Sequence, residues 1–111
     1  MNDLFSGAPQ GVTNMMKMVQ EMQENMERVQ KEVEATEFSS SVGGGTVEVV
    51  VNGEYEVTAV HISPEVVDPE DVEMLEDLII SATNESIRKA SEAMKKGMEQ
   101  AKGGLSIPGL F

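Results

Sequence analysis

Apolar positions recur with helical spacing in two long stretches, and between them lie three short runs that alternate. The second helical stretch is the longer. Asp68 can cap free backbone N–H groups and Pro69 suits a first helical position. Glu70, Asp71 and Glu73 then place negative charge at the positive end of the helix dipole. Val72, Leu75, Ile79 and Ala82 follow at helical intervals, with Leu78 widening the stripe. At Ser86 the stripe slips, since an apolar residue was due there, and it resumes at Ile87, Ala90, Met94 and Ala101. Apart from Gly97, no breaker occurs before Gly103-Gly104. The pattern predicts a helix from about 69 to about 102, roughly 50 Å long.

The first stretch predicts a helix over 12–35, with Thr13 or Asn14 as N-cap. Met15, Val19, Met22, Met26, Val29 and Val33 form a heptad-like seam for lengthwise packing on another helix. That partner is the second helix, with Leu75 and Ile79 on its stripe, or a symmetry mate. Met at three seam positions makes the surface adaptable, a property that promiscuous binding surfaces also use. Glu24 with Arg28, and Glu27 with Lys31, are spaced for i,i+4 pairs on the outer face. Met1–Gly11, with Gly7, Pro9 and Gly11, reads as a flexible arm.

Phe38, Ser40 and Val42 alternate in a short strand over 37–42. Gly43-Gly44-Gly45 follows and reads as a hairpin loop. A phosphate-cradling loop would carry a Lys-Ser/Thr pair and lead into a helix, and here a strand comes next. Thr46–Ile62 predicts a second hairpin. A two-residue loop at Asn52-Gly53 would set Val47 and Val49 beside Glu56 and Thr58. A three-residue loop, Val51-Asn52-Gly53, with Gly53 in the left-handed region, pairs Val49 with Tyr55 and Val47 with Val57, and is preferred. Val60 and Ile62 are then out of phase, which a bulge near Thr58-Ala59 repairs. His61 points outward. Ser63-Pro64 ends the strand, and residues 103–111 form a Gly/Pro-rich tail with apolar Leu105, Ile107, Leu110 and Phe111.

The fold class expected is therefore α+β: helix, three-stranded antiparallel meander, long helix, in one domain over 12–102. Strands of about six residues span roughly 20 Å. Both helices overhang such a sheet and carry apolar stripes along the overhang, which predicts a symmetric homodimer with the helices as arms.

Composition narrows the function. Among 111 residues there is no cysteine, so disulfides, thiolate zinc sites and a cysteine nucleophile are excluded. No leader pattern and no membrane-length apolar run is visible, and a cytoplasmic protein without membrane attachment is expected. Three Phe, one Tyr and no Trp leave no stacking platform for single strands. Glu73, Glu76 and Asp77 have no His, Cys or Lys nearby with which to do acid–base or nucleophilic chemistry. Asp68, Glu70 and Asp71 read as a charged helix start in preference to a metal site. No catalytic residue, metal or cofactor is expected.

The net charge of −12 is unevenly placed. Residues 64–85 hold eight acidic residues and no basic one, while 86–102 hold five basic residues against two acidic. A duplex is repelled by most of the surface and tolerated at the far end of the long helix.

The chain resembles the YbaB/EbfC family of small bacterial nucleoid-associated proteins. The resemblance lies in the Met/Gln-rich Met15–Gln23, in Gly43–Val47, in Asn52-Gly53, in the Glu73–Ala90 segment with Asn84, and in the Gly104–Phe111 tail. It implies a tweezers-like α-β-β-β-α homodimer associated with the nucleoid in the cytoplasm. Such a dimer binds double-stranded DNA with little sequence preference and affects nucleoid organisation or gene expression, without enzymatic activity or a cofactor. Contact residues follow from charge: Arg88, Lys95 and Lys102 as one stripe, Lys89 and Lys96 beside it, and Lys17, Arg28 and Lys31 on the first helix. Spacing also allows Glu85–Lys89, Glu92–Lys96 and Glu99–Lys102 to pair as a solvated face. The competing function is an adaptor whose Met-rich seam and acidic surface engage a protein of DNA metabolism.

Overall fold

Val47, Val49 and Val51 lie on the middle strand of an antiparallel meander, and all three are fully buried. The computed structural model describes residues 9–103. Its elements are α1 (Pro9–Glu34), β1 (Glu37–Val42), β2 (Val47–Asn52), β3 (Val57–Ile62), a single 3-10 turn (Pro64–Val66) and α2 (Val72–Ala101). The α-β-β-β-α order is the one expected from periodicity. The flexible arm expected over 1–11 lies largely outside the described residues, as does most of the 103–111 tail.

Helix α1 begins at Pro9, three residues before the periodicity, because Pro is pre-organised for a first helical position. It ends where Thr36 Oγ1 donates to the Glu32 carbonyl at 2.6 Å and the Thr36 N–H donates to the Val33 carbonyl. Helix α2 starts at Val72 instead of Pro69. Asp68 accepts from the Glu70 N–H and its carbonyl accepts from the Asp71 N–H, forming a turn of its own. Asp71 is the cap, its carboxylate accepting from the Met74 N–H at 3.3 Å.

Strand β1 pairs with β2 through Phe38↔Val51, Ser40↔Val49 and Val42↔Val47, joined by the expected glycine loop, whose Thr46 hydroxyl donates to the Gly43 carbonyl. Between β2 and β3 the register differs from the expected one. Val49 pairs with Val60 and Val47 with Ile62, not with Tyr55 and Val57. The bulge falls at Thr58, between the Val50↔Ala59 and Val51↔Val57 pairs, near the expected place.

The turn is longer because Asn52 organises it. Its side-chain oxygen accepts from the N–H groups of Glu54 and Glu56, its amide donates to Glu56, and its own N–H donates to the Glu56 carbonyl. Tyr55, at φ +64, takes the left-handed position expected of Gly53. Gly53 serves another purpose: a Cβ there would overlap the Val33 carbonyl at the end of α1. Tyr55 and Val57, expected on the buried face, are both about half exposed.

Helix α2 lies across β1 and β2. Ala82, Ser86 and Ala90, four residues apart, are all fully buried and let the helix approach the sheet closely. Phe38, Val42, Leu75, Leu78, Ile79 and Ile87 pack around this small-residue strip. Thus Ser86, where the apolar stripe slips, sits on the buried line, and Leu75 and Ile79 belong to the sheet core and not to the helix–helix seam.

Beyond the sheet, α2 continues along α1. Gly97 makes the contact: a Cβ would stand 2.5 Å from Val29 Cγ1. The molecule extends 82 × 23 × 17 Å with a radius of gyration of 22.4 Å, against about 13 Å for a compact domain near this size.

Candidate nucleic-acid interface

The two helices form an antiparallel arm leaving one end of the sheet, and most cations lie on it. Gly97 is level with Val29 and Val33, and Ala101 closes beside Met22. Lys31 is therefore near the level of Lys95 and Lys96. Arg88, Lys95 and Lys96 are exposed, and Lys102 stands half-exposed at the C-cap of α2. Helical rise sets Arg88, Lys95 and Lys102 about 10.5 Å apart along one line. Lys17 is exposed on the part of α1 that runs past the end of α2.

Lys89 and Arg28 are engaged within the chain. Lys89 Nζ donates to the Ser39 carbonyl of β1 at 2.6 Å, tying α2 to an outer strand of the sheet. Arg28 stands 3.7 Å from Glu32 and donates to Asn25 Oδ1, so its ion-pair partner is Glu32 instead of Glu24. Pairing in this way leaves each cation exposed but lowers the positive charge it presents.

An acidic cluster occupies the opposite end, while Glu21, Glu24, Glu27, Glu32, Glu92 and Glu99 stand on the arm itself. Glu65, Asp68, Glu70, Asp71, Glu73, Glu76 and Asp77 surround the start of α2. At the β2–β3 loop, the Glu54 carboxyl is held above the usual carboxylate range. The causes are a hydrogen bond with Glu56 and the negative charges of Glu56 and Glu34. His61 faces outward as expected, its Nε2 3.9 Å from Glu48. Among the described residues no cluster of three or more His, Cys, Asp or Glu could hold a metal ion. No helix among them is long and apolar enough to cross a membrane.

The seam residues divide. Met22 is buried, and Met26, Val29 and Val33 are half-buried along α2, whereas Met15 (66% exposed) and Val19 (41%) lie past its end. A second apolar surface escaped the sequence reading. Val60 and Ile62 pair with buried Val49 and Val47, so they share the face that α2 covers, but α2 stops at β2 and leaves them open. Met74 and Ile80 of α2 are also exposed. Alternation in β3 marks Val60 and Ile62 as inward residues. The missing information was which strands the helix covers.

Comparison with known proteins agrees with this architecture. A crystal structure of an uncharacterized protein from Helicobacter pylori superposes with a TM-score of 0.58 at 25% identity, covering 71% of this chain and 92% of that one. A nucleoid-associated protein of Alkaliphilus metalliredigens is 53% identical over 107 residues, 96% of this chain and 93% of its own. One from Clostridium acetobutylicum is 52% identical over 99 residues, 89% and 88% of the respective chains. The sequence profile of the YbaB/EbfC DNA-binding family, a family of DNA-binding proteins and not of enzymes, matches residues 9–105. With that match spanning nearly the whole described fold, this acidic α-β-β-β-α chain belongs to the YbaB/EbfC DNA-binding family.

Proposed function

We propose that the protein binds double-stranded DNA as a homodimer, by phosphate contacts from the arm, and acts at the nucleoid in the cytoplasm to organise DNA or modulate expression. The carrying observation is the separation of charge along α2. Arg88, Lys95 and Lys96 stand exposed on its distal half, away from the acidic residues at its start. Lys102, Lys31 and Lys17 lie farther along the arm, among Glu21, Glu24, Glu27 and Glu99. Lys89 and Arg28 are held by Ser39 and Glu32 and present less positive charge. Guanidinium and ammonium groups on phosphates fix position without reading bases, so sequence preference is weak.

The dimer forms across β3. An edge strand whose outer backbone is unpaired among the described residues, with Val57, Val60 and Ile62 exposed, is a template for a second copy. Joining two copies there leaves both arms projecting. The single domain spans the described fold.

A salt series with a random duplex tests the DNA reading. With six phosphate contacts in the dimer, affinity falls by roughly 10³-fold between 50 and 200 mM salt. Lys95→Glu with Lys96→Glu abolishes retention. A duplex that fails to bind even at low salt, or binding indifferent to that charge reversal, overturns the arm as the interface.

A further inference from the structure

At the arm tip, an apolar face lies next to the point where a charge-free segment of the same chain departs. Helix α2 ends beside Met22, which is buried there together with Ala101. Helix α1 runs on, and its seam continues as Val19, Met15 and Val12 with no part of α2 against it. All three are exposed, Val12 at 57%. From Val12 to Gln20 the only charge is Lys17, which helical spacing places on the side away from the seam. The face is apolar, narrow and lined by flexible methionines able to fit an irregular partner.

The chain leaves α2 through Gly103, whose φ of +65 and N–H bond to the Gln100 carbonyl end the helix next to Met18 and Met22. Residues 104–111, Gly-Leu-Ser-Ile-Pro-Gly-Leu-Phe, then carry four large apolar side chains and no charged one. We propose that this segment lies back along the exposed seam of α1 in its own protomer, with Leu105, Ile107, Leu110 and Phe111 covering Val19 and Met15. The reach suffices. Met22 to Met15 is about 10 Å along α1, and eight extended residues span up to roughly 26 Å. Pro108 cannot continue a helix, so the cover is an extended strap and not another turn of α2. Its partner is set by composition: an uncharged apolar strap matches the stretch of α1 whose single charge, Lys17, faces away, whereas Glu21 to Glu34 carries seven charged residues. The inference is independent of DNA binding.

The chain has no cysteine, so engineered pairs report cleanly. In the full chain, Met15→Cys with Leu110→Cys is compared with Thr13→Cys and Leu110→Cys, which sets the first cysteine on the other side of α1 at the same reach. Equal amounts of isotope-labelled and unlabelled protein are mixed before oxidation, and the linked peptides are weighed. The strap predicts a severalfold faster disulfide from position 15, within single chains. Equal rates from both positions overturn it. Peptides mixing the two isotopes overturn it in favour of a second copy's tail on this face. Independently, ending the chain after Gly103 shifts the methyl resonances of Met15 and Met16 and leaves Met94 in place. Unshifted Met15 and Met16 overturn the strap as well.

Discussion

The Ser86 hydroxyl donates to the Val49 carbonyl at 2.7 Å, joining the fully buried line of α2 to the middle strand of the sheet. An apolar residue was due at this position. A small side chain stands there because the helix sits closest to the sheet between Ala82 and Ala90, and its one polar atom is satisfied.

Two serines on this interface should therefore behave oppositely. Ser86→Ala loses a buried hydrogen bond and costs about 1 kcal/mol. Ser86→Leu, the residue the stripe asked for, overpacks the contact and costs more, on the order of 1–3 kcal/mol. Ser40, paired across the sheet with Val49, is 3% exposed, and its Oγ has no hydrogen-bond partner among the described residues. Ser40→Ala removes an unsatisfied group and keeps or raises stability. Urea denaturation of the three variants checks the order.

Gly97 decides whether the arm closes. Alanine gains about 1 kcal/mol of helix propensity over glycine, but its Cβ meets Val29 at 2.5 Å. The clash prevails, so Gly97→Ala destabilises. Combined with Val29→Ala, which clears the space, it recovers part of the loss. Thermal melts of the single and double variants measure this coupling.

Under the proposed function, Lys89 and Lys95 separate a structural cation from a DNA-contacting one. Lys95→Ala should lower the salt slope by about one unit per chain. Lys89→Ala should leave the slope nearly unchanged and weaken the fold, since its ammonium is bound to Ser39. Parallel binding isotherms and melts distinguish the two outcomes.

Val60→Lys places a charge on the open face of β3 without touching the buried valines. It should convert the proposed dimer to monomer, read by light scattering, with the circular dichroism of the protomer retained. A dimer that persists moves the interface elsewhere.

The β2–β3 loop should depend on pH through Glu54. A carboxyl whose pKa is raised in the fold favours its protonated form there, so its contribution is present at low pH. It is lost as pH climbs through the raised value. Glu54→Gln, which cannot ionise, removes this dependence, visible in the amide shifts of Tyr55 and Glu56 across an acid titration.

The sequence by itself determined the elements and their order. Helical spacing, the Gly43–Gly45 loop and the alternation of Val47, Val49 and Val51 are local properties that survive in any packing, and the arm cations are a matter of counting charge. It misplaced the hairpin register and missed the open face of β3. The register assumed that Gly53 was needed for its backbone conformation, while the glycine is required by the Val33 carbonyl, twenty residues away in sequence. Tyr55 took the strained position because Asn52 holds the loop from within. Likewise, Ser86 was read as a break in the stripe although it lies at the helix–sheet contact, and Val60 and Ile62 look as inward-facing as their buried partners. These outcomes depend on where one helix crosses three strands. Tertiary packing alone decided them, because burial follows from which surfaces meet and periodicity reports only which residues share a side.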